Sequence, residues 1–277
     1  MQVRFHGVRG STPCHGEEIR RHGGNTSCVS ISMPGEPLLV LDLGTGLRYL
    51  GLEHPEGPFR ANCLLSHLHW DHIQGLPFFG PVLRDGSRFD VFAPRQSDGR
   101  SVAAAMDSIV RPPMFPVTLD QLPGEIVFHD LDESCFELGS VGVMARAVPH
   151  IGPTFGYRVE WQGRSVAYLS DHQEPLDGVA CAPGVLELCT GVDVLIHDAQ
   201  YTDDDFESHR DWGHCRVGFA VELARRCGVG TLVLFHHDPT RDDDALDRLG
   251  AAAAAELAAD GIAVVVASEG LALDVGV

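Results

Sequence analysis

Short apolar runs of strand length alternate along the chain with stretches of helical spacing, and turn residues separate them. Residues 3–8 alternate apolar and polar side chains, and 28–32 and 38–43 are rich in β-formers. This predicts three early strands, with Gly23-Gly24-Asn25 as turn chemistry between the first two. Gly44-Thr45-Gly46 ends the third strand and opens a helix over 47–51, and 62–66 is a further short strand. The apolar segment 73–79 predicts the start of a helix, and 102–109 another. Residues 111–116 hold three prolines in six positions and must be irregular. A second round of strands follows at 126–129, 141–148, 156–161 and 165–170. The compact runs 194–197 and 231–235 have the pattern of strands buried on both faces. Between them, 215–227 has helical spacing through Val217, Ala220, Val221 and Ala224; a helix over 243–259 and a strand at 262–267 close the chain. Strands in both halves with helices interspersed predict a layered α/β arrangement of two packed sheets with helices outside. No repeat or low-complexity linker divides it, so 1–277 reads as one domain.

Composition changes this picture little, and charge changes it more. Hydrophobic residues make up 44% and charged ones 21%, an ordinary globular balance that excludes a disordered chain. No apolar run reaches the ~18 residues that span a bilayer. The first ten residues carry Arg4 and Arg9 and no stretch of signal-peptide length, so the expected setting is cytoplasmic. Twenty Lys+Arg against 39 Asp+Glu give a formal charge of −19. Such acidity argues against a surface that wraps nucleic acid or sits on anionic lipid, and no membrane partner is expected. The eight cysteines are scattered, with no two closer than eight positions, so neither a C-x-x-C knuckle nor a dense disulfide framework is present. Reduced, mostly buried thiols are the expectation. Histidine stands out, at 15 of 277 residues.

The densest chemistry is Ser66-His67-Leu68-His69-Trp70-Asp71-His72, directly after an apolar strand. Three imidazoles and a carboxylate in six residues cannot enter a core unpaired, because each needs a polar partner. At a strand's end His67 and His69 point the same way, and Asp71 and His72 on the turn beyond can reach a second cation. With this motif the chain resembles the metallo-β-lactamase superfamily of binuclear metal hydrolases. That resemblance implies a four-layer αββα sandwich and further ligands at later strand ends. Val148-Pro149-His150, Tyr168-Leu169-Ser170-Asp171 and Leu232-Val233-Leu234-Phe235-His236 stand where they belong. By this likeness His67, His69 and His150 hold one metal, Asp71, His72 and His236 hold the other, and Asp171 bridges. His237 would point away from His236, as a packing or substrate-side residue. Imidazole with carboxylate suits two divalent ions, Zn2+ first, with Mn2+ or Fe2+ as further choices. The flavo-diiron oxygen reductases share the pattern but place glutamate where His69 stands, which favours hydrolysis here.

Further segments resemble the phosphodiesterase branch, which includes RNase Z and small-molecule cyclic phosphodiesterases. Gly23-Gly24-Asn25-Thr26-Ser27-Cys28 is similar to its N-terminal strand entry. Ile196-His197-Asp198-Ala199 and Trp212-Gly213-His214-Cys215 are similar to the segments that place an acidic residue behind a catalytic histidine, although a small hydroxyl residue is usual at Cys215. The implied reaction is attack on phosphorus by a metal-bridging hydroxide, with His214, oriented by Asp198, protonating the departing alkoxide. Asp71 can also accept a proton from the nucleophile. Asp42 suits a partner to a metal histidine or a turn cap. His150 and Asp171 are only 21 positions apart, which leaves no room for the RNA-gripping arm of the tRNA nuclease. The expected substrate is therefore a small or cyclic nucleotide-like phosphodiester and not long nucleic acid. A lactonase or β-lactamase-like carbonyl hydrolase is the alternative, or an RNase Z-like nuclease on short RNA; the resemblance also suggests a homodimer. Trp70 reads either as a stacking platform for a base or as packing under the ligand loop. Segment 112–116 reads either as a pocket wall or as ordinary loop packing.

Overall fold

The computed structural model describes residues 1–176 and 181–276. Two seven-stranded sheets lie face to face. The first is built from β1 (Gln2–Gly7), β2 (Cys28–Ser32), β3 (Leu38–Leu41), β4 (Arg60–Leu64), β5 (Arg88–Pro94) and β6 (Glu125–Leu131). The second takes β7 (Ser134–Leu138), β8 (Val141–Ala147), β9 (Phe155–Trp161), β10 (Arg164–Leu169), β11 (Val194–Asp198), β12 (Thr231–Phe235) and β13 (Ala263–Val266). The last strand, β14 (Ala272–Asp274), returns to pair with β1 and completes the first sheet.

Between the sheets lies one apolar core. Phe5, Val29, Ile31 and Leu41 enter it from the first sheet, and Tyr157, Tyr168, Ile196 and Phe235 from the second. Aromatic contacts tie the two, with Phe5 and Phe235 ring centres 6.1 Å apart. Outside the first sheet pack α1 (Leu47–Glu53), α2 (Trp70–Ile73) and α3 (Val102–Ile109) over a second apolar layer. Outside the second pack α4 (Pro183–Cys189), α6 (Val217–Cys227) and α7 (Asp243–Leu257), while α5 (Asp203–His209) sits in the connection between β11 and α6. The result is the αββα sandwich expected from sequence.

Strand direction places the functional loops. β3 to β6 run parallel, as do β10 to β13. β8 is antiparallel to β9, which is antiparallel to β10, so β8 shares their direction. The segments leaving β8, β10, β11 and β12 therefore emerge at one edge of the second sheet, and the segment leaving β4 meets them there.

Some elements differ from the sequence reading. β3 stops at Leu41, because Asp42 takes a left-handed φ of 61° that turns its carboxylate inward. Residues 73–79 do not start a helix: α2 ends at Ile73, and one-turn 3-10 segments follow at Leu76–Phe78 and Gly80–Leu83. Pro77 and Pro81 remove amide donors there, and the Gly75 amide donates to the Leu43 carbonyl instead. Gly75 lies so close to Gly44 that a Cβ would stand 1.9 Å from that carbonyl oxygen. Strands β5, β7 and β14 and helices α4 and α5 are not apparent in the sequence pattern. No helix among the described residues is long and apolar enough to cross a membrane.

Candidate metal centre

The loop leaving β4 carries the first four donors. Ser66 anchors it, its amide and its hydroxyl donating to Asp42 Oδ1 and Oδ2 at 2.7 and 2.9 Å. His67 follows, His69 precedes the first residue of α2, and Asp71 and His72 occupy its single turn. His72 Nδ1 donates to Asp42 Oδ2 at 2.7 Å, and the Tyr168 hydroxyl donates to the same oxygen at 2.7 Å. Asp42 is fully buried, so it orients the ligand loop rather than capping a surface turn.

The second sheet brings its donors singly. His150, after β8, donates from Nδ1 to the Gly213 carbonyl at 2.7 Å and turns Nε2 to within 3.1 Å of His69 Nδ1. Asp171, after β10, sets Oδ1 3.9 Å from His67 Nε2 and Oδ2 3.1 Å from His72 Nε2. His236, after β12, has a φ of 56°. Its Nδ1 donates to Gln200 Oε1 at 2.9 Å, and its Nε2 lies 3.2 Å from Asp71 Oδ2. The structure thus gathers all seven sequence-expected donors. His67, His69 and His150 form one group within ligand distance, and Asp71, His72 and His236 another, while Asp171 groups with His67 and His72.

Hydrogen bonding shows what this cluster needs. The acceptors on Nδ1 of His72, His150 and His236 leave each Nε2 with a lone pair. Those lone pairs face carboxylate oxygens and one another, and His72 Nε2 lies 3.3 Å from His236 Nε2. His67 Nε2 and Asp171 Oδ2 are buried without any hydrogen-bond partner. Converging, desolvated lone pairs are unfavourable unless a cation lies among them, so the residues fit divalent metal. Without such an ion, burial opposes charge on His72, but Asp171, Asp71 and Asp42 outweigh it and hold its pKa well above the ordinary value. Burial likewise pushes the Asp171 carboxyl up, and His236, His72 and His67 override it and pull it well below. His67, against the same cluster, is driven well below its usual value, mainly by burial.

Asp198 and His214 stand beside this group. Asp198, fully buried at the end of β11, accepts from His214 Nδ1 at 2.8 Å, from the His172 amide at 3.1 Å and from the Gln200 amide at 3.0 Å. His214 Nδ1 is also 3.8 Å from Asp171 Oδ1. Burial disfavours the His214 cation, but Asp198 overrides it, and the pKa rises. His214 can be grouped as a ligand with Asp171 and His236, yet its Nδ1 is already committed to Asp198. It is buried beside His236, ring centres 5.1 Å apart, not on the surface. Cys215, in place of a hydroxyl residue, donates from Sγ to the Asp198 carbonyl at 3.0 Å.

Several contributors escaped the sequence reading. The Ser11 amide donates to Asp71 Oδ2 at 2.8 Å, and Ser11 holds a φ of 62°. A Cβ on Gly10 would stand 2.5 Å from His236 Nδ1, so only glycine fits there. Gln200 fixes His236 and donates to Ser11 Oγ at 3.2 Å. The only available signal was Gly10-Ser11 as a turn after β1 and Gln200 two residues past Asp198. His237 is a packing residue, its Nε2 3.0 Å from the Ala267 carbonyl. Trp70 is 57% exposed and therefore does not pack under the ligand loop.

Comparison with known proteins agrees with this arrangement. An uncharacterized protein of Mycobacterium tuberculosis is 29% identical over 221 residues, covering 76% of this chain and 74% of its own. The Ribonuclease Z of Haloarcula marismortui is 25% identical over 277 residues, covering 85% of this chain and 86% of its own. Among solved structures, Zn(2+)-bound PqqB from Methylobacterium extorquens superposes with a TM-score of 0.74 at 19% identity, over 99% of this chain and 100% of that one. The model of the beta-lactamase superfamily domain matches residues 58–237, which hold every candidate donor, and the chain belongs to that superfamily.

Proposed function

We propose that this metal-dependent hydrolase cleaves a small or cyclic nucleotide-like phosphodiester, with His67, His69 and His150 holding one divalent ion, Asp71, His72 and His236 a second, and Asp171 between them. The observation that carries the reading is the His214–Asp198 pair, hydrogen-bonded at 2.8 Å and set 3.8 Å from the Asp171 carboxylate. Imidazole-rich donors favour zinc, and the carboxylates also admit manganese or iron. When bound, such ions supply Lewis acidity and a water that ionises near neutral pH. The protein's own groups do the rest. Asp71, held by the Ser11 amide, is placed to take a proton from the nucleophile. Asp198 accepts from His214 Nδ1 and favours the His214 cation, whose Nε2–H can pass to the leaving oxygen, leaving a neutral imidazole with its proton on Nδ1. An acyl substrate with a good leaving group has less need of that second proton donor.

Charge supports a short substrate. Two divalent ions (+4), Asp71 and Asp171 (−2) and an ionised water (−1) would leave about +1 locally, which suits one phosphodiester. A long polyanion would repeatedly meet the surface of a chain whose net charge is −19. Similarity to proteins named Ribonuclease Z supports phosphodiester chemistry. All eight cysteines are free and Cys135 is exposed, which fits a reducing compartment such as the cytoplasm. The test is pure protein loaded with zinc or manganese and offered bis(4-nitrophenyl) phosphate, cyclic mononucleotides, linear dinucleotides and long RNA. Turnover of the small diesters is expected. Failure on every diester would sink the reading, and preference for long RNA would overturn the limit on substrate length.

A further inference from the structure

One helical turn has two functional faces. In α2, Asp71 and His72 point into the donor cluster, while Trp70 and Ile73, three apart, share the other face. That other face walls a cleft of about 430 Å3, closed on its far side by Ile109, Met114 and Phe115. The cleft falls in the size range of small-molecule pockets. Its rim holds three large apolar side chains left in solvent: Trp70 at 57%, Phe78 at 61% and Met114 at 70% exposure. Phe78 and Phe115 meet edge to face, ring centres 5.8 Å apart, which joins the segment after α2 to residues 112–116. Exposed apolar groups converging on one cavity beside a reactive centre mark a ligand surface. Arg48 also lines the cleft, and its guanidinium makes no ion pair among the described residues of a strongly acidic protein.

We propose that this cleft is the specificity site for the organic half of the substrate and takes a nucleobase, stacked on the Trp70 indole and covered by Arg48, while the phosphodiester lies at the donor cluster. The proposal rests on the phosphodiesterase reading. A plain hydrocarbon would fill the apolar walls but leave the Arg48 guanidinium, which lies only over the Tyr49 ring with 5.6 Å to its centre, without a polar partner at the site. A flat heteroaromatic ring meets both demands: its faces suit the indole and the guanidinium, and its edge offers hydrogen-bonding groups. Trp70 joins the two sites directly, because its neighbours His69 and Asp71 are donors.

The test compares a nucleoside 3′,5′-cyclic phosphate with the same ribose cyclic phosphate lacking the base, on metal-loaded protein. Wild type is expected to favour the base-bearing substrate by about 30-fold in kcat/KM, the scale of one base–aromatic stack. Ile109→Trp fills the cleft from α3 and should reduce that preference below about threefold, through a larger rise in KM for the base-bearing substrate than for the abasic one. Arg48→Ala, at an exposed position that folding does not need, should reduce it by a smaller factor. Equal turnover of the two substrates by wild type overturns the proposal, as does an equal loss on both in Ile109→Trp with Arg48→Ala unaffected. If neither substrate is cleaved, the phosphodiesterase reading fails by itself. Saturation-transfer NMR with adenosine then judges the cleft: transfer to base protons that Ile109→Trp abolishes supports it, and no transfer in wild type overturns it. A wild-type dimer that Ile109→Trp dissociates, with no base preference, would make the cleft a contact between copies of the chain and also overturn it.

Discussion

The two sheets build their shares of the donor cluster in opposite ways. The first supplies four donors, His67, His69, Asp71 and His72, from six consecutive residues on the loop after β4. The second supplies His150, Asp171 and His236 from the ends of three different strands, with Asp198 added from a fourth. Parallel strands lie ~4.8 Å apart, so the second share is assembled sideways, and its geometry depends on strand order and register. The first share is local. It depends on one helical turn and on Asp42, whose carboxylate receives Ser66, His72 and Tyr168. A local device fails when its anchor is lost; a distributed one fails only at the individual donor.

Asp171 is where the two shares meet, and changing it should do the most damage. It faces His67 and His72 from the first share and His236 from the second. Asp171→Ala should lower metal content and reduce diester turnover by about a thousandfold or more, since the divalent metal that Asp171 would help to hold would supply the ionised water. Elemental analysis beside kcat checks this, and unchanged metal content with near-normal kcat would remove Asp171 from the site.

The next effect separates the candidate donors from the proposed acid. His214→Ala should lower kcat about 10²–10⁴-fold, the usual range for a positioned proton donor, while leaving metal content intact. Loss of metal together with activity would make His214 a ligand. A leaving group that needs no proton sharpens the experiment. The loss should shrink with a 4-nitrophenolate leaving group and stay large with an alkoxide.

Asp42→Asn tests the local anchor. The amide keeps the shape but cannot accept from all of Ser66, His72 and Tyr168, so metal affinity should fall about 10–100-fold, as for other partners of ligating histidines. Competition with a chelator measures the loss, and the proposed site of Asp71, His72 and His236 should lose its metal first. Simultaneous loss of metal from both proposed sites would show that the two shares are more tightly coupled than their construction suggests.

This contrast also explains what could be read in the sequence. The first share was legible because its donors are contiguous, and no core accommodates three imidazoles and a carboxylate unpaired. The later donors were legible one at a time, as polar residues ending apolar strands. They gained meaning only from the family resemblance, because nothing local in Pro149-His150 specifies a metal. Ser11, Gly10 and Gln200 stayed hidden, since an amide donating to Asp71 and a glycine pressed against His236 are products of tertiary approach. The expected helix over 73–79 failed for a similar reason. Its apolar pattern is genuine, but Pro77, Pro81 and the bond from Gly75 to Leu43 break it into short turns.

The smallest effect at neutral pH concerns the first sheet away from the cluster. His6, on β1, is buried and lies 2.8 Å from the Ser30 hydroxyl on β2. Burial, helped by Arg4 and His54, lowers its pKa from 6.5 to about 4. The unfolded chain therefore takes up a proton below pH 6.5 that the folded chain refuses until about pH 4. Stability contributed by neutral His6 is fully present above pH 6.5, drains as pH falls, and is spent below about 4. The shift corresponds to a loss of at most about 3 kcal/mol across that window. His6→Gln can keep the hydrogen bond to Ser30 and has no proton to take up. Urea unfolding should therefore place the variant near wild type at pH 7, with a shallower decline toward pH 4. Both proteins carry the same acid-labile donor cluster, so the difference between their slopes isolates His6. Identical slopes would mean that the acid sensitivity of the fold lies in the donor cluster and not in the first sheet.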